Sequence, residues 1–108
     1  MAQNIGIPVQ LDKPRVMRFG MDSAEFAEDK YGINLMQMDP KKLGFKQIKQ
    51  IVFASLLEND PNLKYEEIGT LIDTYEGGPF ELLEKATEAA QNFFRTTGRG
   101  KPGRGNTR

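Results

Sequence analysis

Four acids, Glu58, Asp60, Glu66 and Glu67, crowd the stretch from 58 to 67, and a hard cation such as calcium wants several carboxylate oxygens in one place. The spacing lacks the alternating oxygen ligands and the central glycine of a calcium loop. Each acid also has a local use. Asp60 precedes Pro61 in a turn cluster, while Glu66 and Glu67 stand in the first turn of a helix, where the macrodipole favours negative charge. No metal is expected. Glu81 and Glu84 lie one helical turn apart, a spacing open to acid–base work, but the pattern puts both on a solvated face. Gly98, Gly100, Gly103 and Gly105 have the composition of a phosphate-cradling loop without the preceding strand and following helix that such a loop requires. No cofactor is expected.

The chain has no histidine and no cysteine. The first absence removes the commonest general base and transition-metal ligand, and the second removes disulfides and thiolate chemistry. An enzyme built here would rely on lysine, tyrosine or carboxylates alone, with no pocket-forming pattern to hold them, so a non-enzymatic role is expected. The start, MAQNIGIPVQ, lacks a basic segment followed by an apolar run, and no stretch approaches the ~18 apolar residues of a membrane span. The sequence reads as a soluble, unexported chain suited to a reducing cytoplasm, with no membrane partner.

The elements that position these residues follow from length and periodicity. With 108 residues the chain fits one domain. Ile7, Val9 and Leu11 alternate, the pattern breaks at Asp12-Lys13-Pro14 and resumes at Val16, Met17 and Phe19, which predicts a β-hairpin with Pro14 in the turn or opening the second strand. Asp22 as N-cap, Glu25 three residues on and Gly32 as terminator predict a helix over 23–31. The short passage INLMQM is either extended or a helical turn. Asp39-Pro40 then starts a long central helix, 40–58, with Leu43, Ile48, Ile51, Val52, Ser55 and Leu56 on one side. Asn59-Asp60-Pro61-Asn62 ends it. A third helix spans 65–75, with Leu63 and Ile68 placed as a hydrophobic staple, and stops at Gly77-Gly78. Pro79 opens a last helix in which Phe80, Leu83, Ala90 and Phe94 form one stripe and Leu82, Ala86, Ala89 and Phe93 widen it. The fold class is mainly α with a small N-terminal β-hairpin, about four helices in one compact domain, 1–94.

From 95 to 108 the chain is glycine- and arginine-rich, with nothing apolar to bury, and reads as a disordered basic tail. It carries Arg95, Arg99, Lys101, Arg104 and Arg108 and no acid, leaving a net charge of −5 on residues 1–94. Those five residues are the candidate nucleic-acid contacts of an alternative reading, a small regulatory nucleic-acid-binding protein. The tail could equally lie against the acidic body. Met36, Met38, Phe93 and Phe94 suit an adaptable contact surface or simple core filling. Phe45, Phe53 and Leu57 fall off the narrow stripe of the central helix, which makes that helix either central or part of an interface.

The order VQLDKPRVMRFGMDSAEFAEDKYGINL, then IKQIVFASLLEND, then PNLKYEEIGTLID, then LLEKATEAAQNFF resembles the tail assembly chaperones of long-tailed bacteriophages and related gene-transfer agents. The first helix of that family ends near EEKTGI, matched here by AEDKYGI from Ala27 to Ile33. The more specific mark is a helix ending A-x-L…ED-P followed by LT-x-EE-V-G-x-LID. This chain supplies Ala54, Leu56, Asn59-Asp60-Pro61, Leu63, Glu66-Glu67, Ile68-Gly69 and Leu71-Ile72-Asp73, over a resemblance covering about 9–94. Lys64 departs from it where Thr or Ser is common, since lysine cannot accept the N-cap hydrogen bond.

The resemblance implies a non-enzymatic adaptor that binds the tape-measure protein, and in some cases the major tail-tube protein, during tail morphogenesis. Such proteins act in the cytoplasm of the bacterial host and are absent from the mature virion. It also implies a second, longer product made by frameshifting, for which the codons of Gly100-Lys101 would hold a slippery run. Self-association into a homo-oligomer is expected from broad apolar helices. The partner-binding candidates are Phe45, Phe53 and Leu57 with Phe93 and Phe94.

Overall fold

The computed structural model describes residues 4–97. Strands β1 (Ile7–Gln10) and β2 (Pro14–Met17) form an antiparallel hairpin, followed by helices α1 (Met21–Tyr31), α2 (Phe45–Leu57), α3 (Tyr65–Asp73) and α4 (Gly78–Thr97). Ile7 faces Met17, Val9 faces Arg15, and Gln10 faces Pro14. Pro14 therefore opens β2, where its missing N–H costs least. Val9 and Met17 face inward and are buried, with Phe19 beyond them. Two strands are marginal alone, and α2 and α4 pack against them. Arg18 N–H donates to the Ser55 carbonyl at 2.7 Å, fastening the exit of the hairpin to α2.

Helix α2 is the axis of the fold: α1, α3, α4 and β2 all contact it. Gln50 to Leu56 are buried without a break, so the wide apolar arc of this segment marks a central helix. The expected single helix over 40–58 is instead a short 3-10 helix, Pro40–Lys42, a step at Leu43-Gly44, and then α2. Gly44 explains the step. Glycine inside a helix costs about 1 kcal/mol relative to alanine, and here it becomes the N-cap, its N–H donating to Gln47 Oε1 at 2.9 Å.

The same device starts two other helices. At α1 the N-cap is Gly20 rather than Asp22, and its N–H donates to Ser23 Oγ at 2.9 Å. At α3 the N-cap is Lys64, whose N–H donates to Glu67 Oε1 at 3.3 Å. Lysine offers no acceptor, but the reciprocal half of a capping box survives. Gly20 has a further use, since a Cβ there would lie 2.7 Å from Glu58 Oε1. That carboxylate accepts from Ser23 Oγ at 3.1 Å and pairs with Arg18.

Helix α1 ends at Gly32 in the left-handed region, φ 69°, a conformation glycine reaches without a Cβ penalty. The INLMQM passage holds a turn at Leu35–Gln37. Helix α3 stops at Asp73, two residues earlier than the reading to 75, with Thr74 Oγ1 donating back to the Thr70 carbonyl at 3.1 Å. Leu63 and Ile68 are both buried, in the N′ and N4 positions of the staple. Helix α4 begins at Gly78 and runs to Thr97, so Arg95 belongs to the helix and donates to Asn92 Oδ1. The expected tail start at 95 moves accordingly. Arg99, Lys101, Arg104 and Arg108 lie outside the described residues.

Candidate partner-docking face

Five large apolar side chains of the described residues stay exposed: Ile5, Met21, Met36, which the sequence offered as a contact residue, and the rings of Phe45 and Phe80. Phe45 is 73% exposed and Phe80 62% exposed, and their ring centroids lie 6.2 Å apart with the planes tilted by 49°. Phe45 is the first residue of α2 and Phe80 lies in the first turn of α4. Both rings thus sit where two helices begin. Beside them is a hollow of about 280 Å³ lined by Phe45, Ile48 and Lys49 of α2, Gly69, Ile72 and Asp73 of α3, and Pro79 of α4.

The five predicted contact residues do not form one surface. Phe45 is open. Phe53 and Phe93 are buried, and Leu57 and Phe94 are half-buried against the core. Phe53 is held on two sides by aromatic rings, 6.2 Å from Phe26 and 5.5 Å from Tyr65 in edge-on geometry. Tyr31 joins this cluster, 5.6 Å from Phe26 and 5.8 Å from Tyr65, and burial raises its phenol pKa. Phe93 and Phe94 pack on each other at 5.6 Å. Phe80, read as part of one apolar stripe of the last helix, is exposed, while Leu83 of the same stripe is buried.

A charge signal accompanies the rings. From Pro40 to Leu57 the chain contains Lys41, Lys42, Lys46 and Lys49 and no acid. Lys41, Lys42 and Lys46 are exposed. The ion pairs among the described residues are Arg15 with Asp12 and Asp60, and Arg18 with Glu58; none uses these lysines. Lys49 lies 4.6 Å above the Tyr65 ring in a cation–π contact,. Helices α1, α3 and α4 carry acids in their first turns, Asp22, Glu66 with Glu67, and Glu81. Helix α2 has none there and places Lys46 in its first turn, against the preference of the helix dipole.

Three of the four acids singled out as metal candidates are engaged in holding the fold, and Glu66 is exposed. Glu58 takes Arg18 and Ser23, Asp60 takes Arg15 at 2.8 Å, and Glu67 caps α3. Glu81 accepts from the Tyr75 hydroxyl at 2.6 Å, across a larger hollow of about 710 Å³ between β1 and the α3–α4 joint. That bond, then burial, pushes the Tyr75 phenol up to about 12. No described helix is long and apolar enough to cross a membrane. The chain matches no family model, no curated protein and no solved structure.

Proposed function

We propose that this protein is a non-enzymatic tail assembly chaperone of a long-tailed bacteriophage, which binds the tape-measure protein in the host cytoplasm during tail morphogenesis and is left out of the mature virion. The observation that carries the reading is the Phe45–Phe80 pair, two large exposed rings that lie against each other. An exposed aromatic pair beside a hollow is what a contact surface needs and what a monomer has no use for. Chaperoning fits the physics, since a long helical client exposes apolar stripes that aggregate until they are covered. The resemblance over 9–94 supplies the client, and the tail-tube protein is a second candidate.

The test is co-purification of the full chain with the tape-measure protein of the same genome, beside two full-length variants. Capture by wild type and by R99Q/K101Q/R104Q/R108Q, with loss in F45A/F80A, is the expected result. Failure of wild type to capture the client, together with salt-sensitive retention of nucleic acid that the four glutamines abolish, would replace this reading with the nucleic-acid one.

A further inference from the structure

We infer that the hollow beside Phe45 receives an amphipathic helix of the partner whose apolar stripe is flanked by aspartate or glutamate. This deepens the docking reading and rests on it. The two long walls have the same spacing. Phe45, Ile48 and Lys49 on α2 stand at i, i+3 and i+4, and so do Gly69, Ile72 and Asp73 on α3. Side chains so spaced form the ridges between which a third helix lays its own. Gly69 adds no side chain to the α3 wall, and a Cβ there would make only an ordinary contact with Lys49 Nζ, at 3.8 Å.

The sign of the partner comes from the rim. Lys46 follows Phe45 directly, Lys49 stands one turn on, and Lys41 and Lys42 occupy the 3-10 helix just before it. The N-terminal end of α2 adds its own positive potential. A lysine in that first turn opposes local helix stability, yet residues 40–57 hold four lysines and no acid, in a body that is otherwise acidic. Asp73 stands on the α3 wall, so phosphate is disfavoured on that side and the partner's acids belong on the α2 side. Two rings tilted at 49° also close on each other rather than opening a slot for a stacked base.

The experiment is fluorescence anisotropy of the full chain with two labelled peptides of about 18 residues, five helical turns. Both share one leucine stripe, flanked by glutamate in one and by lysine in the other. The glutamate peptide is expected to bind about tenfold tighter, the sum of several modest charge pairs. K41E/K42E/K46E should invert the preference, and F45A/F80A should abolish both. Equal binding, or tighter binding of the lysine peptide, overturns the acidic partner. If tape-measure capture still depends on Phe45 and Phe80 in that case, the docking face itself stands. If F45A/F80A leaves client capture intact, the docking face fails as well. Self-association lost in F45A/F80A, or oligo-dT or anionic vesicles outcompeting the glutamate peptide, would also overturn the inference.

Discussion

Arg15, on β2, donates Nη1 to Oδ2 of Asp60 at 2.8 Å, across 45 residues of sequence. The other edge of its guanidinium holds Asp12, with Nε 2.7 Å from Oδ1 and Nη2 2.9 Å from Oδ2. One side chain therefore ties the hairpin turn to the joint between α2 and α3. Asp60 in the Asn-Asp-Pro joint is an anchor as well as a turn residue. Because the side chains of Arg15 and Asp60 are only 8% and 24% exposed, removing the arginine leaves a largely buried carboxylate without its cation. R15A is expected to cost about 2–3 kcal/mol in urea unfolding. D60N should cost more than D12N, whose carboxylate is half in solvent and screened. Equal losses for D60N and D12N would show that the hairpin–joint tie contributes nothing of its own.

The same cluster sets an acid response. The hydrogen bond from Arg15 holds the Asp12 carboxyl below the usual carboxylate range, against the opposing effect of burial. A lowered folded value means stability that is present above about pH 4 and lost as pH falls through the folded value. Circular dichroism melts from pH 5 down to 2 should show a steeper loss for wild type than for D12N. Parallel curves would count against the assignment.

At the other extreme, Tyr75 is held protonated by its bond to Glu81, with a pKa of about 12. The folded value is raised, so its contribution to stability is complete below about pH 10 and fades as pH rises from about 10 to 12. Phenolate absorbance should show two of the three tyrosines titrating late, Tyr31 and Tyr75, of which only Tyr75 returns toward about 10 in E81Q. An unchanged titration in E81Q would mean that another group sets the shift.

The aromatic residues separate docking from folding. F53A and F93A are expected to destabilise the fold by about 3–5 kcal/mol, as buried phenylalanines do. F45A and F80A should each stay within about 0.5 kcal/mol of wild type, as exposed positions do. Chemical denaturation of the four variants is sufficient. A large loss in F45A would place its ring among the groups that hold α2 to α4.

Much of the fold was legible because local chemistry and tertiary packing agree. Alternation at Ile7 and Val9, Gly32 as a helix terminator and the Asp60-Pro61 joint all read directly. The break at Gly44 was not legible, since Asp39-Pro40 is as good a start for one 3-10 turn as for a long helix. Arg95 to Thr97 contain no breaker, and α4 runs through them. For the site, periodicity correctly set Phe45 and Phe53 off the narrow stripe. It had no means of separating a ring facing solvent from one enclosed by Phe26 and Tyr65, because that depends on neighbours distant in sequence. The acid-free lysine run was visible in the sequence, but it spans both Phe45 and Phe53 and does not separate them.

Asn92, near the end of α4, donates its Nδ2 to the Ile5 carbonyl at 2.9 Å, and Asn4 donates to the Phe19 carbonyl at 2.6 Å. Residues 4 and 95 therefore mark the same pole of the molecule. Phe80 lies twelve residues back along α4, about 18 Å away. A dye attached at Ile5 or Arg95, both exposed, is thus carried at a distance from the lysine-rimmed rings and would report on a bound partner without blocking them.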